Sequence, residues 1–239
     1  MPRISVVVPV FNEGPRIVGF LDRVFEAVTL PCELLVVYDS PDDSTVPHLE
    51  AYGRREPRLR PLHNTYGRGP ANALRFGIDN SEGQVVVVTM ADGSDDPHQI
   101  DQLARLVERG VSVAAASRYM RGGQQVGGPW LKGKISSAAG KSLHLLGRVG
   151  THDATNSFKA YSRDFLRTVG IDSDAGFTLG IEMVAKAKRL GLPVAEIPTI
   201  WLDRADGTSN FSVSHWIASY MHWYVRALRP SRRRSRPTP

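Results

Sequence analysis

The chain has 239 residues, of which 41% are hydrophobic and 23% are charged, and its formal net charge at pH 7 is +6. This composition is typical of a globular protein with a sizeable core, and it excludes a fibrous or wholly disordered chain. The single cysteine, Cys32, excludes an internal disulfide and a cysteine-based zinc site. No apolar run is long enough for a membrane span and the chain opens on a short strand-like segment, so we expect a cytoplasmic protein.

Much of the positive charge lies in residues 229–239, which contain Arg229, Arg232, Arg233, Arg234 and Arg236. We expect this basic tail to be disordered. The remaining chain is closer to neutral and has no basic stripe interleaved with aromatic residues. We therefore expect no nucleic-acid partner.

The first half alternates between strand-like and helix-like patterns. Predicted strands cover residues 4–10, 33–38, 59–62, 85–88 and 111–116, and helical patterns follow the first four of them, including 71–79 and 97–108. This alternation predicts an α/β fold with a mostly parallel, doubly wound sheet flanked by helices. Ligands of such sheets bind at the carboxyl ends of the strands, where the loops of this chain are rich in Asn, Asp, Gly and Ser.

The fourth predicted strand, Val85 to Val88, is followed within a few residues by Asp92, Asp95 and Asp96. Clustered carboxylates repel one another unless water or a cation lies between them. An all-oxygen site suits Mg²⁺ or Mn²⁺, which also recruit substrate phosphates. The alternative is a turn with a helix cap, where Asp and Ser are also favoured, although a cap needs only one such side chain.

Several segments together resemble family-two glycosyltransferases of the GT-A fold, and those of the second half are similar to dolichol- or polyprenol-phosphate mannose synthases. The matching segments are 8–13, 37–42, 67–71, 116–119, 153–161, 176–177 with Glu182, and 203–211. The resemblance covers nearly all of residues 4–212. It implies a Rossmann-like GT-A sheet and an inverting transferase that uses a sugar nucleotide and a divalent metal.

The resemblance also implies roles for individual residues. Asp39 would contact the base of the nucleotide, Asp92 and Asp95 would hold Mg²⁺ or Mn²⁺ on the diphosphate, and the remaining nucleotide contacts would come from Pro9, Asn12, Glu13, Gly67, Arg68 and Gly69. The glycines would allow the backbone to approach the nucleotide closely. The family usually carries Asp-x-Asp at the strand end, whereas this chain offers a wider pair. Which of Asp92, Asp95 and Asp96 bind the metal therefore stays open.

The acceptor implied by this branch is a lipid phosphate, which is already an anion and needs cations to hold it. Residues 117–134 form a glycine-rich basic loop, and the candidates to contact the phosphate are Arg118, Lys132, Lys134, Ser136, Ser137 and Arg204. Ser136 and Ser137 are predicted at the start of a helix, where backbone N–H groups favour anions. Arg204 matches the branch's phosphate-binding arginine. The alternatives are a structural Arg118 and lysines that are merely solvated.

The segment 214–228 predicts a helix with a wide apolar face that contains Trp and Tyr residues, among them Trp216, Ile217, Met221, Trp223 and Tyr224. Such a helix favours a peripheral anchor at the cytoplasmic membrane face, with the arginine tail on anionic lipid. The alternative is a helix that packs on the body or on a second subunit of a homo-oligomer.

We thus expect one glycosyltransferase domain over 1–228, with a nucleotide-binding half to about 116, an acceptor half to about 212 and the terminal helix. The expected reaction moves a hexose, mannose from GDP-mannose, onto a polyprenyl or dolichyl phosphate. A transferase acting on a small-molecule or nucleotide acceptor and a noncatalytic nucleotide-sugar-binding subunit are the alternatives.

Overall fold

A computed structural model describes residues 2–128, 130–174, 176–203 and 213–230, without the side chains of 131, 132 and 213–216. The strands within these ranges are β1 (Ile4–Pro9), β2 (Cys32–Tyr38), β3 (Leu59–His63), β4 (Val85–Val88), β5 (Val113–Ser117), β6 (Gln124–Val126), β7 (Lys159–Ser162), β8 (Val194–Pro198) and β9 (Ile200–Leu202). The helices are α1 (Arg16–Ala27), α2 (Val46–Gly53), α3 (Pro70–Asp79), α4 (Ile100–Glu108), α5 (Trp130–Ser142), α6 (Arg163–Val169), α7 (Leu179–Arg189) and α8 (Val213–Leu228).

Seven strands form one sheet in the order β3-β2-β1-β4-β7-β5-β8. All neighbouring pairs are parallel except those of β7, which runs antiparallel to both β4 and β5. The predicted α/β fold with a mostly parallel sheet is confirmed. Strands β6 and β9 pair separately as a small parallel ribbon.

The central strands are apolar because helices cover both faces of the sheet. Every residue of β1 and β4 is buried, which explains the uninterrupted valine run from Val85 to Val88. Helix α3 approaches one face so closely that a Cβ on Gly77 would lie 2.5 Å from a methyl carbon of Val7. Only glycine fits at that contact.

Because β7 runs antiparallel to its neighbours, the loop before it lies at the carboxyl ends of the parallel strands. Lys159, the first residue of β7, lies opposite Val88, the last residue of β4. The loop that precedes β7 therefore joins the loops that follow β1, β2 and β4 at the same edge. The alternating pattern of the first half did not predict this insertion.

Several predicted boundaries differ from the observed ones; the fifth strand, predicted over 111–116, is Val113–Ser117. The segment predicted as one helix over 97–108 begins with a 3₁₀ turn, Pro97–Gln99, before α4. Helix α5 begins at Trp130, so the prediction that Ser136 and Ser137 start a helix is wrong: both lie well inside it. The terminal helix begins at Val213, and no helix within the described ranges is long and apolar enough to cross a membrane.

Candidate active site

A clasp of hydrogen bonds joins the loops after β2 and β3. One carboxylate oxygen of Asp39 accepts from Asn64 Nδ2 at 2.8 Å, and the other accepts from the backbone N–H of Gly69 at 2.7 Å. Asn64 is buried and also donates to the carbonyl of Gly67 at 2.6 Å. Gly67 and Gly69 have φ angles of 103° and 113°, which glycine adopts without strain. The predicted nucleotide residues Asp39, Gly67 and Gly69 are therefore brought together.

The loop after β1 is tied to the loop after β2 in a similar way. The backbone N–H of Asn12 donates to Asp43 Oδ2 at 3.0 Å, and that of Glu13 donates to Thr45 Oγ1 at 3.0 Å. Asn12 has a φ of 54°, a conformation that Asn tolerates better than most residues. These contacts hold Asn12 and Glu13 at the edge where Pro9 ends β1.

The three aspartates after β4 have different environments. Asp92 Oδ1 accepts from the hydroxyl of Ser94 at 2.5 Å, while Asp95 Oδ2 accepts from Thr89 Oγ1 at 2.9 Å. Asp96 caps the following 3₁₀ turn by accepting from the backbone N–H of His98 at 3.0 Å. Asp96 is therefore a helix cap, as the alternative interpretation predicted. The carboxylates of Asp92 and Asp95 instead accept hydrogen bonds from side chains of their own loop.

The electrostatics of Asp95 fit a cation site. The pKa of Asp95 is raised to about 7, mainly by desolvation and also by the nearby charge of Asp92, against the opposing effect of the hydrogen bond from Thr89. A divalent cation beside these oxygens would offset both effects, because it favours the charged carboxylate. The donor set of Asp92 and Asp95 is hard oxygen, as Mg²⁺ and Mn²⁺ prefer.

Arg118 and Asp153 form a buried bidentate ion pair next to this loop. Arg118 Nε and Nη2 donate to the two carboxylate oxygens of Asp153 at 2.7 and 3.0 Å, and the Arg118 backbone N–H donates to Oδ2 at 3.1 Å. Burial raises the pKa of Asp153, but Arg118 and Lys159 together outweigh it and hold the pKa below its usual range. Arg118 thus has a structural partner and also contributes positive charge near Asp95.

Lys159 lies fully buried beneath the same region, and its ammonium group donates to the carbonyl of Asn156. Desolvation is the main cause that lowers the pKa of Lys159 to about 8, against the opposing charge of Asp153. A buried lysine is expensive unless negative charge lies nearby. Here Asp153, Asp95 and Glu196 supply that charge.

Four of the remaining acceptor candidates, Lys132, Lys134, Ser136 and Ser137, lie within α5. Lys134 is exposed, with its Nζ 4.9 Å from the centre of the Trp130 ring. The Ser136 hydroxyl is 3.0 Å from that of Thr155, close to the Arg118–Asp153 pair. Ser137 is partly buried. The side chain of Lys132 and the whole of Arg204 lie outside the described residues.

The ribbon of β6 and β9 connects the loop after β4 to the segment around β6. The backbone N–H of Leu202 donates to the carbonyl of Ser94 at 3.2 Å, and that of Asp203 donates to the carbonyl of Val126 at 2.9 Å. The loop that contains Asp92 and Asp95 is thereby joined to the glycine-rich basic segment.

The residues that sequence reasoning missed are Asp43, Asn64 and Lys159, whose contacts are non-local and have no fixed spacing.

Comparison with known proteins identifies the family of this chain. The model of the family "Glycosyl transferase family 2" matches residues 5–170. The chain belongs to glycosyl transferase family 2, and it is a glycosyltransferase.

Within this family, the chain is similar to two curated proteins that are named for mannose transfer. The chain is 30% identical to a polyprenol monophosphomannose synthase of Mycolicibacterium smegmatis, over 89% of this chain and 82% of the relative. It is 29% identical to an undecaprenyl-phosphate mannosyltransferase of Micrococcus luteus, over 94% and 95%. Among solved structures, a mannosyltransferase of Pyrobaculum calidifontis in complex with GDP-mannose and Mn²⁺ matches with a TM-score of 0.65 and 21% identity, covering 98% of this chain and 66% of that one. The fold is that of the GT-A glycosyltransferases.

Proposed function

We propose that this glycosyltransferase moves mannose from GDP-mannose to a polyprenyl phosphate with inversion, using Mg²⁺ or Mn²⁺ held by Asp92 and Asp95. The observation that carries the proposal is the meeting of three groups at one sheet edge: the Asp39–Asn64 clasp, the carboxylates after β4 and the buried Arg118–Asp153 pair. They match the three parts of the reaction, namely nucleotide, diphosphate–metal and acceptor phosphate.

The donor nucleotide would bind along the loops after β1, β2 and β3. Pro9, Asn12 and Glu13 would line the pocket, while the 67–69 backbone, with Arg68 at its centre, would approach the nucleotide closely. In this arrangement Asn64 positions the Asp39 carboxylate toward the base. The likeness to two relatives that are named for mannose transfer supports a mannose donor.

The metal would act as a Lewis acid that neutralises charge on the leaving nucleotide diphosphate. Asp92 and Asp95 would hold it, and Asp96 would support the turn as a cap. The chain's own contribution is the rigid loop: Ser94 fixes Asp92, and Thr89 fixes Asp95.

The acceptor phosphate would approach from the side of α5. A phosphate monoester is already anionic, so the site needs positive charge more than a general base. Arg118, whose side chain is 13% exposed, would supply that charge while Asp153 keeps its orientation. Lys132, Lys134, Ser136, Ser137 and Arg204 complete the proposed acceptor contacts.

A donor panel tests the proposal. Calorimetric titration with GDP-mannose, GDP-glucose, UDP-glucose and UDP-galactose, each with and without Mn²⁺, should give the tightest metal-dependent binding for GDP-mannose. Tighter binding of a UDP-sugar would contradict the proposed donor. Binding without any transfer or hydrolysis would indicate a noncatalytic subunit instead.

Helix α8 supports a second element of the proposal, contact with a membrane surface. Its inner face packs on the body through Trp223 and Ala227, which are 5% and 0% exposed, so the expectation that Trp223 enters lipid is wrong. Its outer face carries Ile217, Met221 and Val225, all large, apolar and exposed. We infer that this outer face lies on the membrane that holds the lipid acceptor.

Changing Ile217, Met221 and Val225 together to serine should abolish sedimentation of the protein with anionic vesicles. Each apolar side chain contributes about 1.5–3 kcal/mol when buried, so the loss in vesicle affinity should exceed tenfold. The fold should persist because none of the three residues packs in the core.

The matched control for this experiment is His222→Ser, an exposed polar residue of the same helix. It should bind vesicles as the wild type does. A triple variant that is folded by circular dichroism and still pellets fully with vesicles would contradict the membrane surface assigned to α8.

The Asp39 clasp gives a separate prediction. Asn64→Ala should weaken binding of the nucleotide by about tenfold, since a hydrogen bond to a charged group contributes about 1.5–3 kcal/mol. Calorimetry with GDP and Mn²⁺ measures it, and Asn80→Ala, at the far end of α3, is the control. Equal affinities of the two variants would remove the clasp from the nucleotide site.

A further inference from the structure

Two histidines and a glutamate meet on the acceptor side of the sheet. His144, His152 and Glu196 each offer one ligand atom, and these atoms lie within 4.8 Å of one another. Among the described residues, no other group of three His, Cys, Asp or Glu side chains meets this closely. The cluster comes from three separate segments of the chain, so no sequence motif predicts it.

The fold builds the cluster by close backbone packing. A Cβ on residue 140 would lie 2.1 Å from the carbonyl oxygen of His152, so Gly140 allows α5 to press directly on the 151–153 loop. The chain then continues into a π-helical turn, Leu143–Gly147, which places the His144 ring on the His152 ring with centroids 3.6 Å apart. π-helical turns are rare and often mark functional sites.

The hydrogen bonds around the cluster leave one imidazole nitrogen without a partner. Glu196 Oε2 accepts from Thr151 Oγ1 at 2.9 Å and from the His152 backbone N–H at 2.8 Å, which fixes the carboxylate. Its other oxygen lies 2.5 Å from His152 Nδ1. In contrast, His144 Nδ1 is buried and has no hydrogen-bond partner, a costly state for a polar atom.

We propose that His144, His152 and Glu196 form a Zn²⁺ site. Two imidazole nitrogens and one carboxylate oxygen are ligands that Zn²⁺ accepts, with a fourth tetrahedral position left for water. Imidazole nitrogens bind a metal in the plane of the ring, so zinc binding would require the His144 ring to turn out of its stack on His152. Zinc would then replace the proton between His152 Nδ1 and Glu196 Oε1 and move these two atoms apart. Thr151 and the His152 backbone then act as outer contacts that orient the carboxylate, as is common around zinc.

The site is separate from the aspartates after β4, and its ligands are nitrogen-rich where those are all oxygen. It does touch the acceptor side, because His152 precedes Asp153, the partner of Arg118. Bound zinc would tie the end of α5 to β8 and to the loop that holds Asp153. The inference does not depend on which sugar or acceptor the enzyme uses.

The test is calorimetric titration of the full chain, freed of metal, with ZnCl₂ in the presence of saturating Mg²⁺. Mg²⁺ is chosen because it fills oxygen sites and competes poorly for imidazole. The wild type should bind one Zn²⁺ per chain, and His144→Ala and Glu196→Gln should each weaken binding by at least about tenfold. The controls His48→Ala, a histidine of α2, and Asp92→Asn should bind Zn²⁺ as the wild type does.

Substitution with Co²⁺ provides a spectroscopic check that does not depend on activity. A four-coordinate site with imidazole ligands should give intense visible absorption that His144→Ala loses. Circular dichroism shows whether each variant is folded, and His144→Gln, which preserves much of the side-chain volume, replaces any variant that is not. Absence of Zn²⁺ binding by the wild type, or equal binding by folded His144 variants, would overturn the site. Loss of Zn²⁺ binding in Asp92→Asn alone would assign the ion to the aspartates instead.

Discussion

Replacing Asp153 with alanine should lower the free energy of unfolding by about 3–5 kcal/mol, because the change leaves the buried charge of Arg118 without its partner. Asp153 is 0% exposed and accepts three hydrogen bonds from Arg118. It also lies near the buried ammonium of Lys159, which would keep only Asp95 and Glu196 as nearby negative charges. Urea denaturation followed by circular dichroism measures the change.

Glu108→Ala is the matched control for Asp153→Ala. Glu108 pairs with Arg3 at 2.6 Å, but that pair lies on the surface, where an ion pair contributes about 0–1 kcal/mol. A loss below about 1 kcal/mol for Asp153→Ala would mean that the Arg118–Asp153 pair does not hold this edge of the sheet together.

Asp95→Asn should abolish metal-dependent transfer and yet stabilise the metal-free protein. Activity falls because one of two charged ligands is lost, and charge stabilisation by a metal contributes several kcal/mol to such reactions. Stability rises because desolvation of the Asp95 carboxylate penalises its charged form, which asparagine never adopts. We expect a gain of about 1–3 kcal/mol at pH 8.

The raised pKa of Asp95 also predicts how the free energy of unfolding changes with pH. The folded-state pKa of Asp95, about 7, lies above the ordinary value of 3.8, so the folded state binds more protons between these values. The free energy of unfolding of the metal-free wild type should therefore decrease as the pH rises from about 4 to about 7. In Asp95→Asn this contribution should be missing. A variant that retains Mn²⁺-dependent activity would remove Asp95 from the metal site.

The sequence predicted the sheet and most of its elements because their determinants are local. The valine run Val85–Val88 and the polar loops after β1 and β2 are readable without knowing the fold. The direction of β7 is not readable in this way, since a four-residue strand carries no mark of its pairing partner. Arg118 and Asp153 were each noted in the chain, but their ion pair depends on that strand.

The faces of helix α8 could not be assigned from the sequence either. Its apolar residues extend around most of the helix, so periodicity could not separate the face that packs from the face that is exposed. The structure resolves this by burying Trp223 and exposing Ile217. The clasp between Asp39 and Asn64 was equally hidden, because its partners come from different loops.

We propose above that mannose passes from GDP-mannose to a polyprenyl phosphate in a metal-dependent step. The most direct measurement is incubation of the protein with GDP-[¹⁴C]mannose, polyprenyl phosphate and Mn²⁺, followed by organic extraction and mass spectrometry of the lipid. We expect a mannosyl-phosphoryl-polyprenol that disappears with EDTA and with Asp95→Asn. Label that stays in the aqueous phase, as free mannose or on a small-molecule acceptor, would contradict it.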